Sequence, residues 1–149
     1  MDPVGLLAVA AVLVAGAVLG LWRRRRDGRL AGPAIKGQDQ DMTDGVRLEP
    51  ALLTRLGVEP APATLLQFST AFCAPCRAVR RVSTEVAELL PGVRHVEVDA
   101  ESHLDEVREL GIWRTPTLLI LDAEGREVRR ATGVPTKPHL IAALADLLP

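Results

Sequence analysis

Phe72-Cys73-Ala74-Pro75-Cys76-Arg77 contains the only two cysteines of the 149-residue chain. An apolar run, Leu65-Leu66-Gln67-Phe68, comes just before it and reads as a buried strand. Just after it, Val79, Val82, Val86, Leu89 and Leu90 recur at a spacing that makes one face of a helix. Both sulfurs therefore fall where a strand turns into a helix. There the first backbone N–H groups lack intrahelical partners and the helix dipole is positive. These surroundings favour thiolate over thiol, and the thiolate is the reactive form. A redox-active dithiol is the reading that this context supports best.

Other uses of a Cys-x-x-Cys pair fit less well. A structural zinc site needs four ligands, yet there is no second cysteine pair, and His95, His103 and His139 are scattered without ligand spacing. Haem attachment requires a histidine after the second cysteine, where Arg77 stands. Two inert core cysteines are a further alternative, opposed by Pro75 between them and by the helix start behind them. No metal and no organic cofactor beyond the dithiol is expected. A net charge of −1 gives no general reason for nucleic-acid binding.

Toward the amino terminus the composition changes. Residues 4–22 carry no charged side chain and as a helix would measure about 28 Å, close to the ~30 Å of a bilayer's hydrocarbon. Trp22 at the end suits the lipid–water interface. A cleaved signal peptide would begin with positive charge, whereas the only charged side chain before this run is that of Asp2. The segment is therefore expected to be a transmembrane helix. Arg23-Arg24-Arg25-Arg26 follow it directly, so the positive-inside rule places the amino terminus outside and the rest of the chain in the cytoplasm. A compartment that keeps thiols reduced favours a reductant or sensor over a disulfide-forming oxidant. Gly16 and Gly20 have a spacing that can let two helices approach closely, although small residues are common in such spans anyway. Residues 23–45 read as a basic stop-transfer cluster and a flexible linker rich in glycine. Residues 46–149 read as one domain.

Within that domain, strands and helices alternate. A short strand at 46–48 leads to a helix at 50–56 with Pro50 in its first turn, stopped by Gly57. Strand 63–68 leads to the cysteines, and the helix behind them ends at Pro91-Gly92. Residues 93–99 form another strand, with Val96 and Val98 on one face. Ser102 and Asp105 match a capping box, and Gly111 a helix end. The run 116–121 is almost wholly apolar, as for a strand covered on both faces. Asp122-Ala123-Glu124-Gly125 turns the chain into strand 127–132, and Thr136 caps a last helix. The order βαβαβαββα predicts an α/β fold with a mixed central sheet flanked by helices on both faces.

In these residues the chain closely resembles the thioredoxin family, from about Val46 to Leu148. The resemblance rests on Phe72-Cys73-Ala74-Pro75-Cys76-Arg77, Val96-Glu97-Val98-Asp99, Gly111-Ile112-Trp113-Arg114-Thr115-Pro116-Thr117 and Gly133-Val134. It implies a thioredoxin fold and a thiol–disulfide oxidoreductase in which Cys73 attacks a target disulfide and Cys76 resolves the mixed disulfide. Pro116 matches the family's cis-proline facing the dithiol, and the backbone of Thr115 would pair with the substrate. Phe72, Trp113 and Gly133 would complete the substrate surface, although Trp113 could equally fill the edge of the core. Protein disulfides are the implied substrates, and an unidentified reductase the implied electron donor.

The departures from the family concern tuning. Phe72 replaces the usual tryptophan, and Ala74-Pro75 replaces Gly-Pro. Arg77 adds local positive potential. Gln67 stands where many members bury an aspartate thought to accept the resolving cysteine's proton, and His95 where its companion lysine often stands. The paired change is consistent, since a buried lysine without its carboxylate is costly. Water or neutral His95 is the proton acceptor this pattern suggests, with faster resolution expected in Gln67→Asp. Two further readings carry different consequences: an extracytoplasmic reductase or oxidase, and a non-catalytic adaptor binding partners near Thr115.

Overall fold

The computed structural model describes residues 3–26, 30–31 and 45–148. Helix α1 (Pro3–Arg26) has 24 residues and continues through the four arginines of the basic cluster. Among residues whose side chains are described, no helix is long and apolar enough to cross a membrane. In α1 these residues are 7 and 9–22, all exposed, a shorter run than the span expected over 4–22. Two residues of the expected linker form strand β1 (Leu30–Ala31). The rest of that linker, residues 27–29 and 32–44, lies outside the described residues.

The remaining elements follow the expected alternation. They are β2 (Val46–Arg47), α2 (Pro50–Arg55), β3 (Ala63–Ser69), α3 (Ala74–Leu89), β4 (Val93–Asp99), α4 (Leu104–Glu109), β5 (Thr117–Asp122), β6 (Arg126–Thr132) and α5 (Lys137–Leu144). The sheet runs β1-β6-β5-β3-β4, with β2 also on β6. Among the described residues only β3 and β4 pair in parallel; the other pairs are antiparallel. β1 and β2 share the outer edge of β6, and β4 forms the opposite border, where the charged Arg94 and Glu97 discourage pairing with another chain.

Strand alternation sorts the core into two layers. Leu66 and Phe68 of β3, Val98 of β4 and Leu119 and Leu121 of β5 pack with Leu52 and Leu56 of α2 and with Leu110 after α4. Ala63 and Leu65 of β3, Val93 of β4 and Leu118 and Ile120 of β5 pack with Val79 and Val86 of α3 and Leu140 and Leu144 of α5. The mixed sheet with helices on both faces is thus present, and all seven residues of β3 are buried. At about 25 cal/mol per Å² of apolar surface, the fully buried leucines of this strand contribute roughly 1.5–3 kcal/mol each.

Two expected caps differ. Ser102 does not cap α4; its hydroxyl donates to Asp99 Oδ2, and His103 occupies the N-cap without a side-chain cap bond. Asp99 also accepts the Glu101 N–H, so its carboxylate wins Ser102 by closing a local turn. Thr136 is at the N-cap of α5, but its side chain makes no cap bond.

Candidate active site: the Cys73–Cys76 centre

β3 delivers the chain to the carboxyl-terminal edge of the sheet, and α3 begins one residue after Cys73. Cys73 is the N-cap of α3, and its Sγ accepts the Cys76 N–H at 3.1 Å. The backbone N–H expected to face the sulfur does so. Pro75 in the first turn costs nothing there, because its missing N–H would have had no intrahelical partner. The two sulfurs form a disulfide, with Cα atoms 5.2 Å apart. Cys76 is 1 % exposed, whereas Cys73 is partly exposed. One sulfur can meet a macromolecular target and the other cannot.

Thr115-Pro116 is a cis peptide. Gly133 N–H donates to Pro116 O at 3.0 Å, so the loop after β6 is tied to the proline. Thr70 and Thr115 share a hydroxyl hydrogen bond of 3.3 Å, which ties the approach to Cys73 to the same loop. Arg114 Nη2 donates to Thr132 Oγ1, and Thr117 Oγ1 donates to Arg114 O. Phe72 is 100 % and Trp113 90 % exposed, so Trp113 does not fill the core edge and both rings stand open to a partner. Arg77 is exposed on the first turn of α3.

Gln67 is fully buried and fully bonded. Its Nε2 donates to Ser69 Oγ at 2.7 Å and to Cys76 O at 3.0 Å, and lies 3.4 Å from Glu97 Oε1. Its Oε1 meets His95 Nε2 at 3.1 Å, while His95 Nδ1 meets Thr84 Oγ1 at 3.4 Å. Arg80 grips both Glu97 oxygens through Nε and Nη2. The two-pronged Arg80 bond, above all, holds the Glu97 carboxyl below its ordinary range. Burial pushes the His95 imidazole down, against the pull of Glu97. The structure thus brings Gln67, His95 and Cys76 together. It adds Ser69, Arg80 and Glu97, which sequence reasoning missed as site residues. The odd-numbered positions of β3 and β4 share one face, and that alternation was the available signal.

Among the described residues no group of three His, Cys, Asp or Glu is placed to hold a metal ion.

The sequence profile of the thioredoxin family matches residues 57–146. Thioredoxin H4-1 of Oryza sativa subsp. japonica is 33% identical over 85 residues, covering 55% of this chain and 63% of its own length, so this chain spans less than two thirds of that relative. A thioredoxin of Alicyclobacillus acidocaldarius is 33% identical over 85 residues, covering 56% of this chain and 80% of its own. Among solved structures, a mutant thioredoxin from Halobacterium salinarum superposes with a TM-score of 0.58 at 18% identity, covering 76% of this chain and 97% of that one. Chloroplastic thioredoxin z gives 0.56 at 19% identity, covering 70% and 94%. At such identities the superpositions speak for the fold alone. The profile match covers more than half of the chain, and the protein belongs to the thioredoxin family, with the Cys73–Cys76 disulfide as its thiol–disulfide oxidoreductase centre.

Proposed function

We propose that the protein is a membrane-tethered thiol–disulfide oxidoreductase that reduces protein disulfides, with Cys73 as nucleophile and Cys76 as resolving thiol. The observation that carries the reading is the asymmetry of the pair: Cys76 is 1 % exposed and Cys73 is the partly exposed N-cap of α3. Cys73 thiolate attacks the target's disulfide, whose S–S bond breaks as the mixed disulfide forms. Cys76 then attacks Cys73, closes the disulfide and releases the reduced target. Two electrons pass to the target, so a separate reductase must reopen the Cys73–Cys76 bond. Phe72, Trp113, Thr115, Pro116 and Gly133 surround this chemistry as the docking surface. The chain needs no metal or organic cofactor for this cycle.

The tether is α1. An uncharged stretch at 4–22 lies within a 24-residue helix, and Leu7, Val9, Val12, Leu13, Val14, Val18, Leu19, Leu21 and Trp22 are each at least half exposed. A helix apolar on every side belongs in hydrocarbon or in a core. Under the positive-inside rule, Arg23–Arg26 directly after this stretch support a domain on the cytoplasmic side.

The test is reduction of insulin disulfides by the full chain with a chemical reductant, comparing wild type with Cys73→Ser. Loss of turnover in the variant is expected, and equal activity of the two overturns the catalytic reading. Labelling of the reduced cysteines in intact cells distinguishes the sides: a membrane-impermeant maleimide should fail until the cells are permeabilised.

A further inference from the structure

On the thiol–disulfide reading, Cys76 must shed a proton while 1 % exposed. The groups beneath it limit where that proton can go. Gln67 Nε2 faces the Cys76 carbonyl and the Glu97 carboxylate, so an amide oxygen on that side would oppose two acceptors. Gln67 Oε1 therefore faces His95, whose Nε2 must carry the ring hydrogen, leaving Nδ1 to accept from Thr84. His95 offers Gln67 no lone pair, and an amide does not itself exchange protons readily near neutral pH. Ser69 is different. Its Oγ accepts from Gln67 at 2.7 Å, which leaves its own hydroxyl hydrogen to turn toward Glu97, whose Oε1 lies 3.4 Å from the same Gln67 nitrogen. Gln67 Nε2 thus holds Ser69 and the Cys76 carbonyl within hydrogen-bond distance of one nitrogen. The Glu97 side chain is 24 % exposed, open enough to exchange with solvent.

We infer that Glu97, acting through the Ser69 hydroxyl, is the positioning carboxylate that draws the proton from Cys76 as the mixed disulfide resolves. The Cys76 S–H bond breaks, its proton goes to Ser69 Oγ, and the hydroxyl's own hydrogen passes to Glu97. The freed sulfur pair forms the Cys73–Cys76 bond while the bond from Cys73 to the target breaks. The target sulfur leaves as a thiolate with that bond's electron pair and takes a proton from solvent. Glu97 releases its proton to solvent. The charged and titratable groups facing Glu97 are Arg80 from α3 and the neutral His95 from β4 itself. Arg80 keeps the carboxylate ionised at neutral pH, and this also lowers its driving force as a base. A positioned base commonly contributes about 10²–10⁴-fold; a weak base working through a hydroxyl should fall nearer ~10-fold.

The experiment uses the reduced full chain and an aromatic disulfide that releases a coloured thiolate, followed in single-turnover mixing. A fast phase reports attack by Cys73, and a second phase reports resolution by Cys76. Glu97→Gln and Ser69→Ala are each expected to slow the second phase about 10-fold at pH 7 and to leave the first unchanged. The deficit should vanish above a free thiol's pKa of about 8.5, where hydroxide does the work. The double variant should be no slower than either single one, as for two members of one route. A wild-type rate and pH profile for the second phase in Glu97→Gln overturns the inference, and so does equal slowing at every pH, which marks a purely structural role. A wild type with no second phase would instead sink the thiol–disulfide reading and take this inference with it.

Discussion

Glu127 and Arg130 are three residues apart on β6, a spacing that puts side chains on opposite faces of a regular strand. A register shift between Ile120 and Leu121 makes Val128 the extra residue, so Arg130 pairs with Leu119 and Glu127 with Leu121. Both then point into the layer under α2 and α4. Their side chains are 7 % and 0 % exposed and meet in two bonds of 2.7 and 2.8 Å. Arg130 Nη1 also donates to Leu110 O at 2.9 Å, closing the end of α4. Replacing Arg130 with Met strands a buried carboxylate and a buried carbonyl. Breaking such a pair from one side costs about 3–5 kcal/mol, and the orphaned carbonyl lies partly within that figure. About 4 kcal/mol should lower the melting temperature by roughly 15–30 °C for a domain of this size. Replacing both partners, Glu127→Leu with Arg130→Met, removes the stranded charge and should recover all but about 1 kcal/mol, the share of the Leu110 carbonyl. Circular dichroism in a urea series is the suitable assay, because Trp113 is 90 % exposed and its fluorescence would report unfolding poorly. A single replacement costing less than about 1 kcal/mol, or a double variant as unstable as the single, would refute the reasoning.

Phe72→Ala and Trp113→Ala should each raise KM for a protein disulfide about 5- to 30-fold, leaving the reaction with a small aromatic disulfide and the melting temperature nearly unchanged. Steady-state kinetics with both substrates checks this. Acidification should destabilise the fold in two stages. His95 and Glu97 both have depressed values in the folded state, so their contributions are complete above 6.5 and 4.5 and are lost as pH falls through the folded values. Urea midpoints measured from pH 8 to pH 3 should fall accordingly, and His95→Gln should flatten the upper stage. Gly57 and Gly125 both have positive φ, but a Cβ at Gly57 meets open space, whereas at Gly125 it lies 2.5 Å from Leu53 Cδ1. Ala at Gly57 should cost about 1–2 kcal/mol in urea unfolding, and Ala at Gly125 more, by whatever moving Leu53 costs.

The sequence revealed most where one interaction dominated. The valines of α3 and the continuous apolar run of β5 each have one burial pattern that satisfies them, and both elements are observed. Pro75 and the cysteine spacing located the dithiol because a helix start is the one place that accepts both residues. Legibility failed where partners were distant in sequence or in competition. Ser102 matched a cap pattern, but its hydroxyl bonds the Asp99 carboxylate instead. The pairing of Leu30 with Ala131 depends on a register that no local pattern encodes. Ser69 and Glu97 looked like ordinary strand polars until parallel pairing set Gln67 against Glu97 and Ser69 against Asp99. The bulge that unites Glu127 with Arg130 was equally hidden, because its signal is a two-strand mismatch.

The same pairing explains why a buried glutamine is tolerable at the reactive end. On the α3-facing side, β3 reads Ala63, Leu65, Gln67, Ser69 and β4 reads Val93, His95, Glu97, Asp99, so both strands change from apolar to polar toward the dithiol. At the apolar end the side chains build core with Val86. At the polar end each buried group of Gln67 meets a partner, which removes the usual penalty of a buried amide. Aromatic residues follow the opposite rule. Of two Phe and two Trp in the chain, only Phe68 lies in the core. Leucine supplies most of the packing, while Trp22, Phe72 and Trp113 are left at least half exposed. Rings of that size lose favourable burial when left in water. On the proposed function, their placement is explained by what they would meet: lipid at the end of α1, and an incoming polypeptide at Phe72 and Trp113.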